Sequence, residues 1–359
     1  MTADVSTSNF TTLAEVPMRL SRNRLLVLLI LIAALSLAPT SRGQNGDRDL
    51  ERTATDVIWR EPGDIASRDL RYGPGAPHLA PVAPFTFIEE DKDGESPKFK
   101  VKDAKGVEWV VKLGTEAQSE TVATRLVWGV GYFAEESYFL DRVRINRLPK
   151  LSRGMDYVGR RGVIYGARFE PRRRDVKRGD TWDWDKNPFQ GTRELDGLKV
   201  LMILLNNYDA RSLNNRVLHV DNAPDGPEAQ HVVTDLGATL GRAGGLGGKR
   251  SKNNLKDYLS TRFVTGVEKD GSVEFDYDTR PSKLGVFSVF YPPYYRGEVK
   301  KEKSMRGIPV ENARWIGSLL SQLSDDQLRD AFRAARYNPS TMEGFVRALR
   351  ERINQLTRL

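Results

Sequence analysis

The chain has 359 residues, a formal net charge of +8 and no cysteine. A hydrophobic share of 39% with 9% aromatics supports a packed core and excludes wholesale disorder. Disulfides are excluded too, and the three histidines at 78, 219 and 231 do not cluster, so a zinc site is not expected.

Arg19, Arg22 and Arg24 precede the apolar run 25–38, which Pro39 ends. Its fourteen residues suit the centre of a signal peptide and fall short of the ~20 that a spanning helix needs. Small residues at Ser41 and Gly43 put cleavage after Gly43. Residues 1–43 therefore read as a signal peptide and the protein as exported, periplasmic or extracellular. Met18 is an alternative start. If 25–38 is left uncleaved it anchors the chain instead, and that is the one membrane contact expected.

Residues 44–84 carry Pro62, Pro74, Pro77, Pro81 and Pro84 and read as an extended lead-in along the surface. Residues 85–170 follow as a strand-rich part. The runs 85–90, 98–103 and 107–113 are strand-like, and in the third Val110 and Lys112 share one face while Trp109 and Val111 share the other. A helix is expected over about 115–128, stopped by Gly129 and Gly131, then strands over 137–145 and 162–169. Together these make a five-stranded sheet with one helix. Arg172-Arg173-Arg174, with Lys177 and Arg178, reads as a solvated charged loop, and no nucleic-acid partner is expected.

Residues 171–359 are mainly helical in pattern. Leu195, Leu198, Met202 and Leu205 recur at helix spacing up to Asn206-Asn207. A hairpin of 216–220 and 231–235 comes next. Helices near 311–323, 325–336 and 341–356 close the chain, with capping boxes at Ser324–Gln327 and Ser340–Glu343. The fold class is α+β.

Polar residues along this frame suit phosphoryl transfer, which is mainly positioning and charge neutralisation. Lys112 is a cation on a strand, able to hold phosphates, with Val110 two residues back to pack under a base. Glu116 and Glu120 lie one helical turn apart on the next helix. Glu120 is the first choice to pair with Lys112, and Glu116 is the alternative. If the hairpin forms, Asn214 before its first strand and Asp235 at the end of its second come together. An amide and a carboxylate oxygen suit Mg²⁺, which takes few protein ligands. Asp209, five residues before Asn214, is the candidate base. In the turn 91–99, Gly94 permits close backbone approach, the Ser96 hydroxyl can hold a phosphate and Lys98 adds charge. The stretch 241–251 resembles a P-loop but has Ala243 and Arg250 where a glycine and a hydroxyl residue are needed.

At these residues the chain resembles the protein-kinase-like superfamily, in particular its atypical branches: phosphatidylinositol kinases, bacterial toxin serine kinases and secretory-pathway kinases. The resemblance runs from about 85 to 240. It implies a two-lobed fold, with a small β-rich N-lobe over 85–170 and a helical C-lobe over 171–359. By resemblance Lys112 matches the strand-three lysine, Glu120 the acid of the following helix and Asp209 the catalytic aspartate. Asn214 and Asp235 match the metal ligands, with Asp235-Leu236-Gly237 in the place of the metal-binding triplet. Gly94 to Phe99 is similar to the nucleotide loop of the toxin kinases. Asn207-Tyr208 stand where classical protein kinases have His-Arg.

The expected activity is transfer of a phosphoryl group from ATP, with Mg²⁺ or Mn²⁺, to a hydroxyl of a protein, lipid or sugar. The alternative is an exported pseudokinase that binds a nucleotide or other ligand without catalysis.

Overall fold

Alternation along the first three long strands buries one face of each. In the computed structural model these are β2 (Phe85–Asp91), β3 (Lys98–Lys102) and β4 (Glu108–Leu113). Phe99 and Val101 point inward while Lys98, Lys100 and Lys102 point out, as a period of two requires. With β5 (Tyr138–Asn146) and β6 (Val163–Pro171) they close a barrel of order β2-β3-β4-β6-β5. The expected five strands are present, and a parallel β2–β5 pairing joins the two edges. Phe85, Phe99, Trp109, Val111 and Phe169 fill its interior.

The structure describes residues 54–94, 96–173, 175–244, 249–279 and 292–359. The signal-peptide reading of 1–43, the first part of the lead-in, Arg174 and part of the glycine-rich stretch lie outside the described residues. Thr53–Leu359 forms one compact unit, and its architecture is mixed α+β. Among the described residues no helix is long and apolar enough to cross a membrane.

The helix α1 (Glu116–Gly129) follows β4 directly. Its apolar residues Val122, Ala123, Leu126 and Val127 join a second core, separate from the barrel interior. That core is built on α2 (Arg193–Leu204), whose first turn is capped by Thr192 accepting from Leu195 N. The helix stops at Asn206, which takes a left-handed φ of 54°. The short helix α3 (Leu255–Leu259) and a lysine-rich helix α4 (Pro292–Ser304) come next. The last three are α5 (Val310–Ser321), α6 (Asp325–Ala334) and α7 (Pro339–Thr357), matching the three expected.

Three expectations are corrected. The Ser324–Gln327 capping box forms, but Ser340–Glu343 does not. Pro339 opens α7 instead, Asn338 caps it, and Glu343 pairs with Arg329 at 2.8 Å. Proline is favoured at a first helical position, so Ser340 falls inside the first turn. The lead-in does more than lie on the surface. Its strand β1 (Thr55–Val57) pairs in parallel with β9 (Glu228–Val233), and Ile58, Ile65 and Leu70 enter the helical core. The expected hairpin, finally, is the middle of a larger sheet. The strand β8 (Asn215–Val220) lies between β9 and β7 (Val176–Arg178), giving the order β1-β9-β8-β7. A further hairpin, β10 (Val264–Val267) with β11 (Val273–Phe275), was not anticipated.

Candidate active site

Strand register sets the first half of the site. Lys98 on β3 and Arg168 on β6 both lie opposite Lys112 on β4. Helix α1 then lays Glu116 and Glu120, one turn apart, against the lysine. The Lys112 ammonium is 2.9 Å from Glu120 Oε2 and 3.0 Å from Glu116 Oε2. Both acids therefore pair with it, and the choice between them does not arise. Glu116 also accepts from the Ser96 hydroxyl and from Lys252. Ser96 follows a turn in which Gly94 takes φ +66°, a conformation that glycine adopts without strain.

The second half comes from the segment after α2. The backbone N–H of Asp209 donates to Asn207 Oδ1 at 2.9 Å, folding a tight turn. Asn214 donates from Nδ2 to Asp209 Oδ2 at 2.9 Å and to the Asp209 carbonyl at 2.8 Å. Thr234 N donates to the Asn214 carbonyl at 2.9 Å, which sets Asn214 beside the residue before Asp235. Asp235 Oδ1 then reaches Lys112 at 3.1 Å, and the Gly237 N–H donates to the same oxygen at 3.3 Å. A Cβ on Gly237 would stand 2.8 Å from Glu116 Cβ, so α1 packs where only glycine fits.

All nine residues selected from the sequence line one cleft of about 380 Å³: Gly94, Ser96, Lys98, Val110, Lys112, Glu120, Asp209, Asn214 and Asp235. Sequence reasoning missed Arg168, Arg211 and Lys252. Arg168 is 3% exposed and lies 3.4 Å from Glu120 Oε1 and 3.1 Å from Glu170 Oε2. Arg211 pairs with Asp209 Oδ1. An arginine between the apolar residues Ala167 and Phe169 was the one available signal for Arg168.

The charges balance locally. Burial pulls the Lys112 ammonium down, but Glu120, Asp235 and Glu116 outweigh it and leave its pKa above the usual lysine range. Burial pushes Glu116 up, yet Lys112, the bonds from Lys252 and Ser96, and the Lys252 charge bring it down to about 2. For Glu120 burial prevails over Arg168 and Lys112 and raises its pKa. Lys112 is thus a permanent cation facing the Asp235 carboxylate, whose side chain is 42% exposed.

Among the described residues no three His, Cys, Asp or Glu side chains gather as a metal cage. Asn214 and Asp235 offer hard oxygen atoms on adjoining turns. That small set fits Mg²⁺ or Mn²⁺, which complete their shells with water and phosphate oxygens.

No protein-family model matches the chain, and no curated protein matches it. Among solved structures it is similar to a Helicobacter pylori proinflammatory kinase, CtkA, at 12% identity and a TM-score of 0.33, over 76% of this chain and 97% of that one. It is also similar to the Golgi casein kinase, at 11% identity and a TM-score of 0.35, over 98% and 93%. A second structure of the Golgi casein kinase, with Mn/ADP bound, gives 10% identity and a TM-score of 0.31 over 97% and 93%.

Proposed function

We propose that the protein is an exported, kinase-like phosphotransferase that moves the γ-phosphoryl group of ATP to a hydroxyl, with the barrel and the helical core as its two lobes. One observation carries this reading. Lys112 stands between Glu120 and Asp235 in a cleft that also holds the Asp209–Asn214 pair. A fixed cation, its holding acid, two oxygen ligands and a carboxylate near them are the parts that phosphoryl transfer needs.

Bound ATP and its divalent ion would supply the transferable group and neutralise its charge. Lys112 holds phosphate oxygens, while Glu116 and Glu120 fix the lysine. The Ser96 hydroxyl, the turn at Gly94 and Lys98 close over the phosphates, and Val110 packs under the base. Asn214 and Asp235 would hold the metal. Asp209 accepts the proton of the attacking hydroxyl as the hydroxyl oxygen bonds to phosphorus and the bond from phosphorus to ADP breaks.

A pseudokinase reading is favoured by one observation. Both Asp209 carboxylate oxygens are engaged, Oδ1 by Arg211 and Oδ2 by Asn214. Turnover separates the two readings. The purified full chain is followed for thermal stability and for ADP formation from ATP with Mn²⁺, against a panel of hydroxyl-bearing proteins, lipids and sugars. Ligand that binds the folded state raises the midpoint by mass action. The transferase reading expects a shift that needs nucleotide and metal together, and ADP formation that Asp209→Ala abolishes. A shift without turnover assigns the binding module, and no shift removes both. Detection of an epitope-tagged copy in the cytoplasm would overturn export.

A further inference from the structure

A group of ionisable side chains at the other end of the cleft takes no part in the chemistry above. The register that sets Lys112 opposite Arg168 sets Val110 opposite Glu170. Two strand residues advance the chain by about 7 Å, so Glu170 lies on the base side of the cleft, beside Val110. Arg178 donates to Glu135 Oε1 and, at 3.3 Å, to Glu170 Oε1. Arg168 donates to Glu170 Oε2 at 3.1 Å. The fourth carboxylate oxygen, Glu135 Oε2, is buried and accepts from no donor among the described residues. The Glu135 side chain is 10% exposed. It lines both the cleft and an adjoining cavity of about 220 Å³, which also shares Glu170, Arg172 and Arg178 with the cleft.

Buried polar atoms are nearly always paired, and an unpaired one is costly. An acceptor short of a donor in the lining of the cleft is a place where a ligand can bring one. Resting on the nucleotide reading, we propose that Glu135 selects the base, accepting a hydrogen bond from the exocyclic amino group of a 6-aminopurine. One free oxygen suits one amino group. Guanine would present two adjacent donors to a carboxylate whose other oxygen Arg178 holds, and its 6-oxo group would add a second acceptor to a site that already has one. Burial and the neighbouring Glu170 push Glu135 up to about 7 against Arg178, as expected of a carboxylate short of donors.

The test measures binding of ATP, ITP and purine riboside triphosphate, which lacks the 6-amino group, to the full chain with Mn²⁺ at about pH 8.5, where the Glu135 carboxyl is ionised and only accepts. Inorganic tripolyphosphate reports the phosphate end alone. Wild type should bind ATP about tenfold or more tighter than either analogue, because the site's acceptor is unpaired without the amino group. In Glu135→Gln the amide can donate to the 6-oxo group, so the ATP-to-ITP ratio should fall toward about one with tripolyphosphate binding unchanged. Equal binding of the three nucleotides by wild type, or an unchanged ratio in the variant, overturns the role of Glu135 and leaves the nucleotide reading standing. Binding of none of them removes both. Should Glu135→Gln fail to fold, the wild-type preference for ATP over purine riboside triphosphate decides.

Discussion

Lys112 Nζ lies 3.1 Å from Asp235 Oδ1, a contact between residues 123 positions apart. It joins the barrel strand β4 to the turn after β9. The lysine is held from the other side by Glu120 and Glu116, so its charge is positioned before any ligand arrives. Preorganised charge of this kind costs no reorganisation when a phosphate binds.

Glu120 carries the burden of that arrangement. It is 1% exposed and sits between Lys112 and Arg168. Removing one partner of a buried ion pair leaves the other charges uncompensated, at a cost of about 3–5 kcal/mol. Glu120→Ala should lower the unfolding free energy obtained from urea titration by that order. Glu120→Gln should cost less, because the amide oxygen still accepts one bond. Equal, small losses in both would show that the pairing contributes little.

Asp209 and Arg211 should act in opposite directions. A positioned base contributes roughly 10²–10⁴-fold to rate, so Asp209→Ala should cut ADP formation by about 100-fold or more while leaving ATP affinity nearly unchanged. Arg211→Ala frees the Oδ1 atom that the guanidinium holds and should raise turnover. A rate that falls equally in both variants would make Arg211 part of the catalytic machinery instead of a restraint.

Two partly buried acids give stability opposite pH dependences. Glu116 is brought down to about 2, so its contribution is present above the unfolded carboxylate range and is lost as pH falls through 2. The whole effect is roughly 3 kcal/mol, with about half gone by pH 3. Glu135 is pushed up to about 7. Its contribution is fully present below the unfolded range and is lost as pH rises through 7. Denaturation midpoints measured from pH 3 to 9 should fall at the acid end less steeply in Glu116→Gln than in wild type. Between about pH 4.5 and 7, where that loss falls, wild type should lose stability relative to Glu135→Gln. Parallel curves for a variant and wild type would refute the corresponding assignment.

The polar residues at the cleft were legible because each sits in a local pattern. Lys112 ends an alternating strand, Glu116 and Glu120 are one turn apart on the next helix, and Asp235 follows an apolar run and precedes Leu236-Gly237. Arg168 was marked only by its apolar neighbours Ala167 and Phe169, and its position opposite Lys112 was not legible. Its place depends on the antiparallel register of β4 and β6, and register across a long connection leaves no local mark. The parallel pairing of β1 with β9 was hidden for the same reason. A polar segment, Glu228 to Gln230, opens β9, which moved the expected strand three residues late. Helix α4 carries four lysine or arginine residues and no clear apolar stripe over Pro292–Ser304, so nothing in its pattern announced it. At α7, Pro339 outweighed the Ser340–Glu343 signature.

The most direct test of the central claim is a calorimetric titration of ATP with Mn²⁺ into the full chain and into Asp235→Ala. The account predicts binding to wild type that requires the metal and is lost in the variant, while Lys112 remains paired with Glu116 and Glu120 and the variant stays folded. Metal-independent binding, or equal binding by the two proteins, would contradict it.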